Sequence, residues 1–476
     1  MAGRVTRLRH NITGAMLLGS AAATSTTWPL AAKIFPEKLE VDDNISYWAA
    51  QTPHYVAGEP LRTSITADLV IIGGGFTGVS TAYHFSRRYP EKRVVLLEAK
   101  TLANGASGRN GGMMLNWING VETTDPEALR PIYQVTSGGI DLIEQIIQRH
   151  NLPVDYRRDG TVTLYTSAER AEKKHAEIEQ LNAAGIPGEF YDRQKLASKL
   201  NMQGAYGAWF DPGTGQLNGA QLIRSLRPIL VEQGVEIYEH TPVLKIREGS
   251  IITLVTPEAE VQTGAIVLAT NGYTGKLGYF REAIFPLHSH VFATEPLTSE
   301  QREALGWREM AGYSDDLDRI SYSTMTRDGH VIFGGGSNQS YNYLFKNRTA
   351  YPGTPDSAHH AFAKMQATLR DYFPNSADLK IAYRWTGTLA ITLRRNCSMG
   401  VRGQNRNVFY ALGYSGHGVT LANLAGLVLT DIYSGDDQQW RNQPFYQAKF
   451  SPIPPEPFRW MGYQAFTHLT GRSPRV

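Results

Sequence analysis

The sequence predicts an α/β protein with two lobes: a Rossmann-like lobe around a mainly parallel sheet, and an α+β lobe around a mainly antiparallel sheet. Three observations support this prediction. The stretch "ADLVIIGGGFTGVSTAYHF", residues 67–85, joins an apolar strand through glycines to a helix, and "GYSGHGVT", residues 413–420, has the same strand-to-helix character. Between them, stretches such as "RISYSTMTRDGHVIFGGG", residues 319–336, are typical of strands joined by turns.

Composition narrows the function classes. The chain has 476 residues, of which 42% are hydrophobic, and this is enough for two or three lobes with a sizeable core. The formal net charge is +3, and the Lys and Arg residues are scattered. We therefore expect no nucleic-acid partner, because such binding requires a basic patch. The single cysteine, Cys397, excludes an intramolecular disulfide and any Cys-x-x-Cys motif.

The first 36 residues differ in composition from the rest. Three arginines within residues 4–9 precede a mildly apolar stretch at residues 15–23, and no acidic residue occurs before Glu37. This pattern fits a secretory signal or an organellar transit peptide, and a disordered extension is the alternative. The apolar run is too short for a membrane-spanning helix. Residues 1–36 are thus predicted to be a targeting or disordered segment, and localisation stays open between export, an organelle and the cytoplasm.

The first glycine-rich turn is predicted to bind the diphosphate of a dinucleotide. Its glycines lie between an apolar strand and a helix, and Glu98 ends the next strand about 20 residues after the last of them. Unpaired N–H groups at the helix N-terminus attract phosphate, and Glu98 can accept hydrogen bonds from the ribose hydroxyls. Besides Glu98, the predicted cofactor-binding residues are Gly73, Gly75, Phe76, Thr77 and Gly78.

A second glycine-rich segment, "NGASGRNGGMM" at residues 104–114, is not required for a nicotinamide dinucleotide. With it, the chain resembles the D-amino-acid oxidase-type family of FAD-dependent oxidoreductases, in which this segment runs beneath the flavin. The resemblance implies a glutathione-reductase-type FAD-binding domain and FAD as the cofactor. Ser107 and nearby amides could bind the diphosphate, and the glycines leave room for the ring. The residues implied here are Ala106, Ser107, Arg109, Asn110, Gly111 and Gly112.

The segment "GYSGHGVTLANLAGLVLTDIYSGD" places Gly416, His417 and Gly418 at the start of a long apolar helix. Its N-terminus can face the flavin edge that becomes negative on reduction, and such helix ends contribute about 0.3–1 kcal/mol. His417 could instead cap the helix or pack. Together with "YRWTGTLAITLRRN" at residues 383–396, this segment resembles the γ-glutamylputrescine oxidase-like branch. The cofactor-binding residues expected here are Gly413, Gly416, His417, Gly418 and Val419.

As in that family, the lobes are predicted to be discontinuous. The FAD-binding lobe comprises residues 66–150, 200–280 and 376–435, and the substrate lobe residues 151–199 and 281–375. The resemblance places Val243 against the adenine. Residues 436–476 form a tail predicted to pack on the body. Contact with a membrane surface is the less favoured alternative, suggested by the apolar residues Phe458, Trp460, Met461, Tyr463 and Phe466.

Substrate-contacting residues follow mainly from the resemblance. Tyr322 matches a position that faces the flavin, whereas Thr324 stands where many relatives carry an arginine. Because an arginine would pair with a substrate carboxylate, its absence argues against the hypothesis that the protein is a simple α-amino-acid oxidase. Three arginines could substitute for it or could merely be solvated: Arg384, Arg394 and Arg395. Trp385 is either a substrate contact or core.

Three further positions carry expectations about ligands. His288 and His290 lie two apart on a predicted strand and share a face, which could line the cavity. No other ligands complete a metal site, so we predict none. Gly387 stands where sarcosine-oxidase-type relatives carry a flavin-linking cysteine, which favours noncovalent FAD. The predicted catalytic residues are Tyr322, His417, Trp385 and Arg395.

The resemblance implies oxidation of the C–N bond of an amine or amino-acid derivative. Hydride passes from the carbon next to a neutral amine to flavin N5, and water hydrolyses the resulting imine. Oxygen is the expected acceptor, with a quinone as the alternative. Tyr322 or His417 could tune the protonation of the amine. Two other classes stay open: an NAD-linked dehydrogenase, which shares the first glycine turn, and a flavin-binding protein without catalysis.

Overall fold

The computed structural model describes residues 39–470, apart from residue 338 and residues 353–357. The segment 1–36, predicted to be a targeting or disordered segment, lies outside the described residues. Ten α-helices lie within them: α1 (Tyr47–Ala50), α2 (Phe76–Arg88), α3 (Pro126–Arg149), α4 (Ala168–Ala183), α5 (Arg193–Lys199), α6 (Gly219–Glu232), α7 (Ser299–Leu305), α8 (His359–Tyr372), α9 (Gly418–Ser434) and α10 (Phe458–Thr470).

Twenty β-strands lie in the same part of the chain. They are β1 (Ile65–Ile72), β2 (Val94–Leu97), β3 (Met113–Met114), β4 (Tyr156–Arg157), β5 (Thr161–Tyr165), β6 (Glu189–Tyr191), β7 (Gly207–Asp211), β8 (Gly215–Leu217), β9 (Glu236–Tyr238), β10 (Lys245–Arg247), β11 (Ile252–Val255), β12 (Glu260–Leu268), β13 (Phe285–Thr294), β14 (Gly312–Asp315), β15 (Ser321–Met325), β16 (Val331–Gly335), β17 (Tyr341–Tyr343), β18 (Ile381–Ile391), β19 (Ser398–Arg402) and β20 (Val408–Leu412).

An eight-stranded sheet forms the core of the first lobe. Its order is β10-β11-β12-β1-β2-β9, with β20 beside the end of β12 and β19 beside β20. Strands β20, β12, β1, β2 and β9 run parallel, so the chain leaves all of them at one edge. The apolar runs that predicted β1 and β2 are buried between helices. At this edge lie the first glycine turn, Glu98 and the turn that begins at Gly413.

Helices α2 and α9 pack closely against each other and against the sheet. A Cβ atom on Gly78 would lie 1.9 Å from the carbonyl oxygen of Gly73, so only glycine lets α2 approach β1 this closely. A Cβ on Gly426 of α9 would lie 2.2 Å from the carbonyl carbon of Ser80 in α2. Glycines therefore set the spacing of both helices and fix where their N-termini lie.

A nine-stranded sheet forms the second lobe. Its order is β17-β13-β16-β15-β14-β5-β7-β6, with β18 on the other side of β13. All neighbours are antiparallel except β5 and β14. Strands β3, β8 and β4 form a small third sheet. One sheet with a parallel core and one mainly antiparallel sheet confirm the predicted fold class.

Two segments lie in a different sheet from the one predicted. Residues 207–211 and 381–391 were assigned to the FAD-binding lobe, but they form β7 and β18 of the nine-stranded sheet. Strand β18 pairs with β13 from Phe285, opposite Ile391, to Thr294, opposite Ile381. This long pairing outweighs proximity in sequence to β19 and β20, which do join the first sheet.

The C-terminal helix α10 packs on the second lobe. The Arg459 side chain is 1% exposed and donates hydrogen bonds to the carbonyl oxygens of Pro454 and Ile284. Tyr463 donates to the carbonyl oxygen of Tyr341 (2.9 Å). The large apolar residues Phe458, Met461 and Leu469 of α10 are exposed. No helix within residues 39–470, the gaps aside, combines the length and apolar character needed to cross a bilayer.

Candidate active site

One cavity of about 870 Å³ is lined by residues of both lobes. Residues 105–107 and 109–111 of the second glycine-rich segment border it, as do residues 414–419 of the turn before α9. The first glycine turn and Glu98 border the same space. The first glycine turn, the second glycine-rich segment and the segment at the start of α9 were predicted separately to bind the cofactor, and all three border one cavity.

Two helix N-termini open into this cavity. The N-cap residues, Gly75 of α2 and His417 of α9, make no side-chain capping hydrogen bond. Gly416 has a φ of +95°, a conformation that favours glycine, and a Cβ there would meet no atom within 4 Å. The hydroxyls of Thr77 and Tyr414 lie 2.7 Å apart and join the two ends. The N–H groups at the two helix N-termini give the cavity positive potential at both ends.

Glu98 lies at the carboxyl end of β2 and is 9% exposed. Its carboxylate accepts hydrogen bonds from the N–H groups of Gly74 (2.7 Å) and Lys100 (2.9 Å). Burial raises the pKa of Glu98, and these two N–H groups oppose the shift. Val243, implied to contact the adenine, also borders the cavity. Both residues border the same cavity, and their contact with the adenosine half of the cofactor stays a prediction.

The second glycine-rich segment is tied to the first. Ser107 Oγ accepts a hydrogen bond from the Phe76 N–H (2.9 Å) at the start of α2. The Asn110 side chain braces its own loop: Nδ2 donates to the Ser107 carbonyl oxygen (2.9 Å), and Oδ1 accepts from the Gly112 N–H (2.7 Å). Ser107 can thus place the diphosphate, whereas Asn110 fixes the shape of the loop.

Arg109 has a different role from the one implied by the resemblance. It borders the cavity, but all five of its N–H groups have protein acceptors. These acceptors are the Asn104 carbonyl and side-chain oxygens, Asn44 Oδ1 and the carbonyl oxygens of Thr386 and Asp42. Burial lowers the pKa of Arg109, and the Asp42 charge opposes the shift. Arg109 therefore holds three chain segments together, and its guanidinium is committed to them.

Four predicted site residues support the cavity without lining it. Gly78 lies at the contact of α2 with β1. A Cβ on Gly112 would lie 2.7 Å from the ring of Trp48, and one on Gly413 would lie 2.8 Å from Thr392. Trp385 is fully buried, and its Nε1 donates to the Arg109 carbonyl oxygen (2.9 Å). The prediction of Trp385 as a catalytic residue is corrected, because the indole lies in the core.

Tyr322 lies against the cavity in a slot made by two glycines. Its cross-strand partner is Gly334, where a Cβ would lie 2.2 Å from Tyr322 Cζ. On the flavin-segment side, a Cβ on Gly111 would lie 2.4 Å from Tyr322 Cε2. The hydroxyl is 3.5 Å from Ser289 Oγ. Burial raises the pKa of Tyr322, an effect that the Ser289 hydrogen bond opposes, so the side chain stays a neutral phenol in the ordinary pH range.

His417 is oriented by Asn119, which the sequence analysis did not identify. Asn119 Nδ2 donates to the Ser415 carbonyl oxygen (2.9 Å) and lies 2.5 Å from His417 Nδ1. Because the carbonyl oxygen can only accept, this atom must be the amide nitrogen, and His417 Nδ1 must accept its second hydrogen. The proton of the neutral imidazole is therefore on Nε2. Asparagine in the "NWING" stretch gave no signal of this contact, since it depends on the fold.

The position of Thr324 explains the missing arginine. Thr324 is fully buried, and its hydroxyl donates to the Gly111 carbonyl oxygen (2.7 Å), so it anchors the segment beneath the flavin to β15. All three candidate arginines are exposed, and of these Arg395 borders the cavity, whereas Arg384 and Arg394 do not. Arg319, which sequence reasoning missed, is 7% exposed and also borders the cavity.

The two histidines of β13 point away from the cavity. His288 and His290 share a face as expected, but both are fully buried on the opposite side, while their neighbours Leu287 and Ser289 border the cavity. Burial lowers the pKa of His290 to about 4. Within the described residues, no group of three or more His, Cys, Asp or Glu side chains is arranged to hold a metal ion. The expectation that these histidines could line the cavity is therefore wrong.

Comparison with known proteins identifies the family. A family model described as "FAD dependent oxidoreductase" matches residues 68–432, so the chain belongs to that family. Gamma-glutamylputrescine oxidoreductase of Escherichia coli K12 is 26% identical over 427 residues, or 88% of this chain and 96% of that protein. The probable oxidoreductase OrdL of Haemophilus influenzae is also 26% identical, over 80% of this chain and 86% of that protein.

A solved structure shows the same fold. Glycine oxidase from Geobacillus kaustophilus matches with a TM-score of 0.67 at 19% identity, covering 81% of this chain and 99% of that one. Family and fold together confirm FAD as the cofactor and exclude the NAD-linked alternative.

The residues of the cavity fit FAD. Two helix N-termini suit a diphosphate and an electron-rich ring edge, and buried Glu98 suits a ribose. The chain's single cysteine, Cys397, is 2% exposed and is not among the residues that line the cavity. Burial raises its pKa to about 12, so the thiol stays protonated. Cys397 is therefore not placed to form a thioether with the flavin, and noncovalent FAD stays a prediction.

Proposed function

We propose that this protein oxidises the C–N bond of an amine or amino-acid derivative to an imine, with oxygen as the electron acceptor and a quinone as the alternative. The observation that carries the proposal is the convergence of the FAD-binding segments with Tyr322 and His417 on one cavity. The names of relatives support the substrate class, since they include a gamma-glutamylputrescine oxidoreductase and a glycine oxidase.

FAD, when bound, supplies the two-electron acceptor for such a reaction. The chain supplies position and environment. The α2 N-terminus and Ser107 would hold the diphosphate, Glu98 would hold the adenosine ribose, and the α9 N-terminus would stabilise negative charge at the ring edge. Gly111 keeps the space beside the ring open to the phenol of Tyr322.

The groups beside the reacting centre favour a neutral amine. Tyr322 is an uncharged phenol, His417 is held as the Nε2–H tautomer, and Arg395 adds a positive charge at the border of the cavity. None of these groups stabilises an ammonium ion by charge. A C–N bond is oxidised more readily when the nitrogen lone pair is free, so this environment assists the reaction without a dedicated base.

The experiment that tests the proposal is anaerobic reduction of the purified, FAD-loaded protein by a panel of primary amines, secondary amines and amino acids. We expect at least one class to bleach the visible flavin band, with an aldehyde or keto product after hydrolysis. Reoxidation by air or by a water-soluble quinone then distinguishes the acceptors. If dithionite reduces the bound flavin but no amine in the panel does, the remaining hypothesis is a flavin-binding protein that does not oxidise amines.

A further inference from the structure

A buried carboxylate lies in the wall of the same cavity and is not used by the proposed chemistry. Asp211, at the end of β7, is 7% exposed and borders the cavity. It accepts hydrogen bonds from the Tyr133 hydroxyl (3.1 Å) and the Gly213 N–H (2.9 Å). The cation whose charge acts on it, Arg158, is paired with two other carboxylates, Asp141 and Glu144. Asp211 therefore keeps negative charge in the cavity wall with little compensation.

Aromatic rings surround this part of the cavity. Trp117, Tyr133 and Trp209 border it, and Tyr133 contacts the carboxylate directly. The ammonium group of Lys174, which also borders the cavity, lies 5.2 Å from the Trp209 ring centroid and pairs with Glu177 (2.9 Å). A carboxylate among aromatic faces attracts an organic cation through both its charge and the ring quadrupoles.

Asn116 belongs to the same buried cluster. It is 3% exposed and borders the cavity beside Asp211 and Tyr133. Its amide opposes the rise that burial causes in the pKa of Asp211 and of Tyr133. Asp211, Tyr133 and Asn116 therefore form one buried polar cluster in the cavity wall, with Asp211 as its charged member.

We propose that Asp211, Trp117, Tyr133 and Trp209 form a second recognition subsite, which binds a protonated amine at the end of the substrate remote from the oxidised C–N bond. The proposal rests on the proposed function and names its substrate class: a diamine, or an amine that carries a second ammonium group. The two ends of the cavity then differ in charge preference. The end at Tyr322 and His417 favours a neutral nitrogen, and the end at Asp211 favours a cation.

The two ends of the cavity are connected by one short stretch of chain. Asn116 lies beside Asp211, and Asn119 contacts His417. An extended chain advances at most about 3.6 Å per residue, so the Cα atoms of these two asparagines are at most about 11 Å apart. Burial raises the pKa of Asp211 to about 6, and the Gly213 N–H, Tyr133, Asn116 and Arg158 oppose the shift. The carboxylate is thus mostly ionised at neutral pH.

The test uses the FAD-loaded enzyme and straight-chain α,ω-diamines, each compared with the monoamine of the same carbon count. A hydrogen bond to a charged group contributes about 1.5–3 kcal/mol, so we expect kcat/KM for the best diamine to exceed that of its monoamine by about 10–100-fold. Asp211→Asn is expected to lower kcat/KM for the diamine by a similar factor and to reduce the diamine preference. Glu127→Gln, which changes an exposed carboxylate in the first turn of α3, is expected to retain the preference.

A binding measurement separates this proposal from the proposed function. A straight-chain alkyltrimethylammonium ion has one fixed charge, an uncharged alkyl end and no amine to oxidise, so its binding does not depend on turnover. We expect it to raise the melting temperature of the wild type and of Glu127→Gln, but not that of Asp211→Asn. Equal shifts in all three variants, or no shift in any, would overturn the subsite. Monoamine oxidation without a diamine preference would overturn the subsite alone and leave amine oxidation intact.

Discussion

His417 shows how one neighbouring amide determines what a cavity histidine can offer. Asn119 donates to His417 Nδ1, which leaves the imidazole proton on Nε2. Asn119→Asp replaces this donor with an acceptor, so we expect the proton to move to Nδ1 or a second proton to be retained. Nitrogen NMR of histidine-labelled protein measures the tautomer directly. Loss of one hydrogen bond is worth about 0.5–1.5 kcal/mol, so kcat/KM should fall about 2–10-fold.

Asn119→Leu serves as the comparison for that variant. It has similar size and no donor or acceptor, so it should release the tautomer without forcing the reverse one. An unchanged Nε2–H signal in both variants would show that Asn119 does not position His417.

Gly111 allows Tyr322 to lie beside the flavin segment. An alanine Cβ would come within 2.4 Å of Tyr322 Cε2, so Gly111→Ala must displace the ring or the loop. We expect weaker FAD binding and slower reduction, with a loss of about 1–3 kcal/mol in unfolding free energy. Gly138→Ala in α3 is the matched control, because a Cβ there meets nothing within 4 Å. It should be neutral or stabilising by up to about 1 kcal/mol. Comparable losses of unfolding free energy and FAD affinity in both variants would show that Tyr322 does not require glycine at position 111.

The prediction for His288 and His290 was wrong because alternation along a strand does not show which face of the strand borders the cavity. Alternation along β13 predicts correctly that His288 and His290 share a face, but either face of a strand can be the cavity face. Which face borders the cavity depends on the pairing of β13 with β16, β17 and β18, and these strands are distant from β13 in the sequence. The hydrogen bonds of Arg109 were missed for a related reason: its acceptors come from residues 42–44, 104 and 386, which only the folded chain brings together.

At the scale of elements, the two helices that end at the cavity are coupled by their contact. Gly426 does not line the cavity, but its Cβ would clash with the backbone of Ser80 in α2. Gly426→Ala should therefore push α2 and α9 apart and misalign their N-termini. We expect a higher dissociation constant for FAD together with a lower melting temperature. The measurement is FAD titration of the apoprotein by flavin fluorescence, with Gly138→Ala beside it as the control. Wild-type FAD affinity in Gly426→Ala would contradict the coupling.

The elements themselves were largely predictable, and their sheet membership was less so. Apolar runs and glycine punctuation identified β1, α2, β2 and α9, because a strand buried on both faces has a local signature. The alternation in "YRWTGTLAI" also indicates a strand, but β18 joins the second sheet by pairing with β13, a contact between distant parts of the sequence. The local sequence pattern therefore predicts that a segment forms a strand, but pairing with distant segments determines which sheet the strand joins.

At the scale of the whole molecule, buried histidines make stability depend on pH. Burial lowers the pKa of His290 to about 4 in the folded state, whereas the unfolded chain keeps the ordinary value near 6.5. Between these values the unfolded state binds more protons. The free energy of unfolding contributed by this residue therefore falls as pH falls from about 6.5 to 4. The buried face of β13 thus destabilises the protein in mild acid.

His290→Gln removes this titration while retaining a hydrogen-bond donor for the Ser340 carbonyl oxygen. We expect its unfolding free energy, measured by urea denaturation across this pH range, to fall less steeply with acid than that of the wild type. The difference in slope should approach one proton per molecule at most. Parallel curves for the two proteins would show that His290 is not neutral in the folded state.

The whole-molecule arrangement explains why so much of the site could be inferred. Glycine-rich strand-to-helix turns have strong local signals, and the carboxyl ends of parallel strands meet at one edge, which brought residues 73–78, 98 and 413–419 together. The far end of the cavity had no comparable signal. Trp117, Tyr133, Trp209 and Asp211 come from separate loops, helices and strands, and single aromatic or acidic residues are common everywhere in a sequence.

The central claim is that FAD occupies the cavity with its ring between the second glycine-rich segment and the α9 N-terminus. The most direct measurement is a crystal structure of the FAD-loaded protein. The account predicts the diphosphate at the N-terminus of α2, the ribose at Glu98 and the ring bordered by Gly111, Tyr322 and Gly416. A flavin bound elsewhere, or a ring separated from Tyr322 and from residues 416–418, would contradict it.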